Sequence, residues 1–126
     1  MKQIFCYISI LLFCSLFGNS QELQYKDNDE IVIFYGAEWC GPCAQTKEIL
    51  KEQDLANYFK QSNKKYFYID IDTKEQKLKQ WIDLAKVKTI PTIIRYKFKE
   101  NKWNEYSRIV GLSSKTNLLN FLKNEK

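Results

Sequence analysis

The strongest constraint on the fold is a pair of cysteines, two residues apart, between an apolar run and a segment of helical character. The sequence reads WCGPC at residues 39–43, after the β-branched run 31–35 and before the segment 44–61. A short apolar run of this kind predicts a strand buried on both faces. Two thiols at a strand-to-helix junction can close a small disulfide ring and open it again.

The position of the first thiol predicts its reactivity. The first turn of a helix has unpaired N–H groups and partial positive charge, and both stabilise a thiolate at Cys40. Its pKa is therefore expected to lie below that of a free thiol. Pro42 suits the first turn because it lacks the N–H that would be unpaired there. Cys43 lies further into the helix, so we expect an exposed attacking thiol at Cys40 and a covered resolving thiol at Cys43.

The motif WCGPC in strand–helix context resembles the thioredoxin family, and the resemblance extends over about residues 31–124. It implies an α/β, thioredoxin-like three-layer fold with a central mixed sheet of about four strands flanked by helices. Residues 21–30 form a polar lead-in that is too short for the extra strand and helix that this family often carries there. We therefore expect a trimmed N-terminus and one domain over residues 31–126.

The remaining elements follow from hydrophobic spacing and capping residues. A helix is expected over about residues 43–61, with a break near Gln53 left open because Asp54 can begin a second helix. Thr73 is expected to cap the next helix, and Ser113 or Ser114 the last one. The other predicted elements are strand 65–71, helix 74–86, strands 92–98 and 103–110 as a hairpin, and a last helix to about residue 124.

The resemblance also predicts a substrate-binding surface. Pro91 matches the family's proline, so the Ile90–Pro91 peptide is expected to be cis, to face the cysteines and to expose backbone for an extended substrate strand. The alternative is a trans proline that opens an edge strand. Gly111 matches a glycine that lines the substrate groove, or is a plain turn glycine. The predicted substrate-binding residues are Trp39, Gly41, Pro42, Ile90, Pro91 and Gly111.

The sequence departs from the family at two positions. Many members carry a buried Asp six positions before the first cysteine, thought to help move the proton of the resolving thiol, and this chain has Phe34 there. They also carry a Lys near the end of the next strand, where the best match is Tyr68. We therefore expect water, substrate or the departing thiolate to deprotonate Cys43, and resolution to be slow.

Residues 1–20 have the pattern of a secretory signal peptide. Lys2 precedes an apolar run over residues 4–17, and small residues lead to a cut after Ser20. A retained membrane anchor is the alternative, although the run of about 14 residues is short of the roughly 20 that span a bilayer. A lipoprotein modified at Cys14 is disfavoured by the bulky residue before it. Cleavage would remove Cys6 and Cys14.

Charge and composition exclude several other classes of function. The chain has 20 basic and 15 acidic residues, a net charge of +5, which becomes +4 without the first twenty residues because Lys2 is their only charged residue. The charge is scattered, so no nucleic-acid binding is predicted. There is no histidine, which excludes Cys–His catalysis, and a single CxxC lacks the four ligands of a structural zinc site. We expect no metal and no cofactor.

These patterns predict an exported, periplasmic or extracytoplasmic thiol–disulfide oxidoreductase that reduces protein disulfides as a monomer. The Gly-Pro pair between the cysteines resembles reducing members of the family. Outside the cytosol such a protein would need electrons from a membrane dithiol donor. The alternatives are a disulfide oxidase or isomerase, and a thioredoxin-fold binding module without turnover.

Overall fold

A computed structural model describes residues 24–124, so the predicted signal segment, residues 1–20, lies outside the described residues. No helix within residues 24–124 is long and apolar enough to cross a membrane. The elements, in chain order, are β1 Glu30–Gly36, α1 Gly41–Lys51, α2 Gln53–Gln61, β2 Lys65–Asp70, α3 Gln76–Ala85, β3 Thr92–Lys99, β4 Lys102–Val110 and α4 Lys115–Lys123.

The four strands form one mixed sheet in the order β2-β1-β3-β4. β1 pairs in parallel with β2 and antiparallel with β3, and β3 and β4 form an antiparallel hairpin. Glu100 and Asn101 turn the hairpin, both with positive φ. Helices lie on both faces, which confirms the predicted thioredoxin-like three-layer fold. β2 is an edge strand whose outer side has no strand partner within the described residues.

Side chains of β1 alternate between two cores, as expected for a strand buried on both faces. Val32 and Phe34 point to one face, together with Cys40, Cys43 and side chains of α2 and α4. We call this the thiol face. Ile31, Ile33 and Tyr35 point to the opposite face, where α3 supplies the helical cover, with partly buried side chains at Leu78, Trp81 and Ile82.

The helix expected over residues 43–61 is two helices, and the break that the sequence left open is real. α1 ends at Lys51, because the next residue, Glu52, has a non-helical ψ of 147°, and α2 begins at Gln53. The apolar pattern explains the break. Cys43, Thr46 and Leu50 share one face of α1, but the buried Leu55 is about one residue out of phase with that face. A break at Glu52 lets both segments face the core.

Two further details correct or settle the predicted boundaries. Thr73 does not cap α3, because the helix begins at Gln76 and its N-cap position is Glu75. The Thr73 hydroxyl instead accepts the Glu75 N–H at 3.2 Å, which forms a turn before the helix. Ser114, rather than Ser113, caps α4 and accepts the Asn117 N–H.

A buried ionic group, which we call the Glu30 cluster, lies where β1 begins. The Glu30 carboxylate is 2.9 Å from Arg95 Nε and 3.4 Å from Lys64 Nζ, and it accepts the Tyr106 hydroxyl. Arg95 is 1% exposed, and it also donates to the carbonyl oxygens of two residues at the end of α4, Phe121 and Asn124. A single carboxylate thus serves two cations on the thiol face.

Candidate active site

Cys40 and Cys43 are joined by a disulfide at the start of α1, with their Cα atoms 5.2 Å apart. Cys40 is the N-cap residue, and its Sγ accepts the Cys43 N–H at 3.2 Å. The helix begins at Gly41, two residues earlier than expected, with Pro42 in its first turn. The Cys40 sulfur therefore lies at the positive end of a helix, where a thiolate is stabilised.

The two sulfur-bearing residues differ in exposure less than the sequence suggested. Cys40 is 6% exposed and Cys43 is fully buried. The asymmetry has the expected direction, but Cys40 is not an exposed side chain in the disulfide form. The reason is that both residues belong to the hydrophobic core of the thiol face. A substrate can therefore reach Cys40 in this form only at the small exposed part of its surface.

The space behind Cys43 is filled by aromatic side chains. Gly36, at the end of β1, fits tightly there, since a β-carbon at this position would lie 3.2 Å from both Cys43 Sγ and Tyr68 Cε2. The Tyr68 ring contacts the Phe34 ring at a centroid distance of 5.2 Å. The two positions at which the sequence departs from the family are therefore paired neighbours on β1 and β2. The Tyr68 hydroxyl oxygen is buried and has no hydrogen-bond partner among the described residues.

A lysine that the sequence analysis did not identify lies over the same ring. Lys47 Nζ is 3.9 Å from the centroid of the Tyr68 ring. This half-buried side chain makes no ion pair with any acidic residue in the described part of the chain. The signal available in the sequence was its spacing, because Lys47 follows Cys43 by four residues and so lies on the same side of α1.

Exposed apolar side chains adjoin Cys40 and Gly111 along the chain. Trp39 is 70% exposed, and its Nε1 donates to Asp72 Oδ2 at 2.7 Å, just beyond the end of β2. Val110 and Leu112 are 53% and 48% exposed. Asp72 was not predicted as a site residue, although an acidic residue directly after a parallel strand is a recognisable signal. Apolar surface is thus exposed beside Cys40 at Trp39, and beside the Pro91–Gly111 contact at Val110 and Leu112.

The loop between α3 and β3 contains a cis peptide bond between Ile90 and Pro91, which confirms that prediction. Gly111 N donates to the Pro91 carbonyl at 2.7 Å, so these two predicted residues are in contact. Gly111 has a φ of +84°, a conformation that favours glycine. Ile90 packs against the core cluster that contains both cysteines. Binding roles for the six predicted residues stay predictions.

The described residues contain no group of three or more Cys, Asp or Glu side chains arranged to hold a metal ion. The chemistry that this geometry supports is that of the two sulfur atoms and their surroundings. A disulfide at a helix N-terminus can accept two electrons, and the resulting dithiol can return them to another disulfide.

Comparison with known proteins agrees with this architecture. The family model described as Thioredoxin matches residues 18–124. Thioredoxin H2-2 from Oryza sativa subsp. japonica is 36% identical over 84 residues, which cover 67% of this chain and 54% of the rice protein. The chain thus spans about half the length of that relative. Thioredoxin from Chlamydia pneumoniae is 33% identical over 93 residues, covering 71% of this chain and 79% of that protein.

Solved structures share the fold. A thioredoxin from Thermus thermophilus superposes with a TM-score of 0.64 at 18% identity, covering 75% of this chain and 72% of that one. Plasmodium falciparum thioredoxin gives a TM-score of 0.54 at 27% identity, covering 78% and 73%. Since the family model matches most of the sequence and the strand order, helix positions and cysteine pair agree with it, this chain belongs to the thioredoxin family.

Proposed function

We propose that this protein is an exported thiol–disulfide oxidoreductase that reduces protein disulfides through Cys40 and Cys43. The observation that carries the proposal is the Cys40–Cys43 disulfide at the N-terminus of α1, with Cys40 Sγ in the N-cap position. A sulfur held there gains stability as a thiolate, and its partner is close enough to complete the reaction.

The reaction has two steps. The Cys40 thiolate attacks one sulfur of the substrate disulfide, a mixed disulfide forms, and the other substrate sulfur leaves as a thiolate. Cys43, once deprotonated, attacks Cys40 Sγ. The Cys40–Cys43 bond forms, the mixed disulfide breaks, and the second substrate sulfur leaves with its electron pair and takes up a proton. The substrate gains two electrons, and the cysteine pair loses them.

The surface around the disulfide supports a protein as substrate. Trp39 exposes apolar area beside Cys40, and Val110 and Leu112 expose it beside Gly111. We propose that an extended segment of the substrate lies across this surface, beside the loop of Ile90, Pro91 and Gly111. Export rests on the pattern of residues 1–20, and for an exported reductase we propose that a membrane dithiol returns the two electrons.

Trapping of mixed disulfides tests the activity. Cys43→Ser removes the resolving thiol, so substrates should stay covalently attached to Cys40 when the variant is incubated with a periplasmic extract. Cys40→Ala is the matched control and should trap nothing. Adducts with several proteins would support an enzyme. One tight partner that is retained by Cys40→Ala would support a binding module and contradict the proposal.

The direction of electron flow is tested by equilibrating the pair with reduced and oxidised glutathione. A reductase should have a potential near that of thioredoxin, about −270 mV, whereas a value near about −120 mV would indicate an oxidase. Export is tested separately by fractionating cells that express the full chain. Recovery of the uncut chain in the cytosol would contradict the assignment of residues 1–20.

A further inference from the structure

Lys47 and Cys43 both lie close to the Tyr68 ring behind the disulfide. Lys47 Nζ lies 3.9 Å from the centroid of the Tyr68 ring, and a β-carbon at Gly36 would touch both that ring and Cys43 Sγ at 3.2 Å. Cys43 and Lys47 are four residues apart on α1, a spacing that places their β-carbons about 5–6 Å apart.

The aromatic ring fixes the lysine at this place. An ammonium group over the face of a tyrosine is attracted by the negative charge of the ring face. Because the Tyr68 ring is itself held against Phe34, the ammonium group has a defined position on the thiol face. No carboxylate within 4 Å neutralises Lys47 among the described residues.

We propose that the Lys47 ammonium group stabilises the Cys43 thiolate and so replaces, in this chain, the proton-transfer pair that Phe34 and Tyr68 leave out. The inference rests on the proposed dithiol chemistry and concerns its second step. Lys47 touches neither substrate nor the reacting atoms, so it is a positioning residue. Its charge acts across a core that contains little water, where an interaction between charges is stronger than in solvent.

The proton balance follows from the first step. Attack by Cys40 releases a substrate thiolate, which can take the proton of Cys43. The Cys43 thiolate that remains is paired electrostatically with Lys47, which stays protonated throughout. Cys43 then attacks Cys40 Sγ, and its negative charge passes to the departing substrate sulfur. The positive charge of Lys47 then no longer faces a thiolate at Cys43.

The other ionisable groups near Cys43 do not supply this charge. From β2, burial raises the pKa of Tyr66, which keeps that phenol uncharged, and the Asp70 carboxylate accepts the Asp72 N–H at 2.8 Å. From α2, the Tyr58 hydroxyl donates to the Leu122 carbonyl. β1, β3 and α4 contribute apolar side chains to the core around the cysteines. In the Glu30 cluster, Glu30 lies six residues from Gly36, about 20 Å along β1. Arg95 pairs with Val32, four residues from Gly36 and about 13 Å along β1, and its charge is offset by Glu30.

The first test titrates Cys43 alone, without any substrate. In a Cys40→Ser background, the pKa of Cys43 is read from the ultraviolet absorbance of the thiolate as the pH is raised. Adding Lys47→Gln should raise this pKa by about one unit, as expected for loss of a unit charge several ångströms away at an effective dielectric constant near 20. Lys47→Arg should restore the pKa of the parent.

Matched variants separate this effect from a general change in charge. Lys51→Gln removes an exposed lysine one turn later on α1 and should leave the pKa of Cys43 unchanged. Tyr68→Phe keeps the ring and should also leave it unchanged, whereas Tyr68→Leu releases Lys47 and should act like Lys47→Gln. An equal shift in Lys47→Gln and Lys51→Gln, or no shift in either, would overturn the proposal.

The second test measures the step itself with the intact cysteine pair and dithiobis(nitrobenzoate), a small aromatic disulfide. Each attack releases one coloured thiolate, so the first phase reports Cys40 and the second reports Cys43. Lys47→Gln should slow the second phase about threefold at neutral pH. A higher pKa lowers the fraction of Cys43 that is thiolate about tenfold, but each thiolate becomes about threefold more nucleophilic, which offsets part of that loss. The first phase should not change. Equal slowing of both phases would contradict the assignment of Lys47 to Cys43.

These tests fail separately from the proposed function. If the pKa of Cys43 ignores Lys47 while Cys43→Ser still traps several proteins, the reductase stands and the role of Lys47 is wrong. If the pKa shifts but no protein is trapped, the electrostatic role stands and the function is wrong.

Discussion

The thiol face carries two sites where a cation meets aromatic rings, and they differ in one component. In the Glu30 cluster, Arg95 lies 4.6 Å from the Tyr106 ring and is paired with a carboxylate. At the other end of β1, Lys47 lies over the Tyr68 ring without a carboxylate among the described residues. Both use the same attraction between a cation and a ring. Only the first site neutralises the charge.

This difference separates a structural use of charge from a functional one. A buried arginine must be paired, because an unpaired buried charge is very costly. Lys47 is half-buried, so water offsets part of that cost, and its charge remains available to a neighbouring thiolate. The two ends of β1 should therefore respond differently to substitution: the Glu30 cluster mainly in stability, and the Lys47 site mainly in thiol chemistry.

Removal of the carboxylate should have the largest effect. Glu30→Gln leaves Arg95 buried without its countercharge, and we expect the free energy of unfolding to fall by about 3–5 kcal/mol in a denaturant titration. Glu48→Gln is the matched control, because its side chain is 76% exposed and pairs with Lys51 at the surface. It should change the stability by less than about 0.5 kcal/mol. Similar losses in both variants would remove the distinction between the two sites.

Crowding the space behind Cys43 should have the next largest effect. Gly36→Ala adds a methyl group at 3.2 Å from both Cys43 Sγ and Tyr68 Cε2, so we expect a loss of about 1–3 kcal/mol. A β-carbon at Gly41 would meet nothing within 4 Å, so Gly41→Ala should cost nothing and can even stabilise α1. Thermal unfolding of the two variants checks the contrast. Equal behaviour would mean that this space is looser than the structure shows.

The tyrosines give a smaller, pH-dependent effect. Burial and the hydrogen bond to Glu30 raise the pKa of Tyr106, and burial raises the pKa of Tyr35. Below about pH 10 these groups are neutral in both the folded and the unfolded state. Above it only the unfolded state ionises readily, so stability should fall as the pH rises, by at most about 1.4 kcal/mol per pH unit for each group. Tyr106→Phe should reduce the slope of stability against pH, measured by urea titrations from pH 9 to 11. An unchanged slope would contradict the assignment of this pH dependence to Tyr106.

The smallest effect is expected at the surface of the active site. Trp39→Phe removes the hydrogen bond from Nε1 to Asp72 but keeps an apolar ring. Because Trp39 is 70% exposed, water can replace the bond, and stability should fall by no more than about 1 kcal/mol. The pKa of Cys43 should not change. If Trp39→Phe shifted the pKa of Cys43 as much as is expected for Lys47→Gln, that pKa would depend on any change near the disulfide and not on the charge of Lys47 in particular.

Much of the fold was predictable because its signals are local. The run 31–35 and the WCGPC motif place a buried strand before the helix of the site, and the hairpin follows from β-formers on both sides of the turn at Glu100 and Asn101. The boundaries were less predictable. The start of α3 depended on whether Thr73 caps a helix or a turn, and both uses involve the same hydroxyl acceptor.

The site was predictable where a motif carries it and unpredictable where tertiary contacts do. Cys40, Cys43 and the cis peptide before Pro91 followed from the motif and the resemblance. The spacing from Cys43 places Lys47 on the same side of α1, but its contact with Tyr68 joins that helix to a neighbouring strand and does not follow from spacing along the chain. Arg95 was missed for the same reason, because a charged residue in a strand pattern is normally assigned to solvent.

Within residues 24–124 no strand pairs with the outer side of β2, and this has a consequence for handling the protein. Its six residues include Tyr66 and Phe67, 36% and 44% exposed, beside a free row of backbone donors and acceptors. Such a row can recruit the same segment from another molecule and begin aggregation. Lys65, the exposed first residue of β2, carries a positive charge, and repulsion between copies at this residue opposes the contact. Because salt screens that repulsion, concentrated samples should stay clear longest in buffers of low ionic strength.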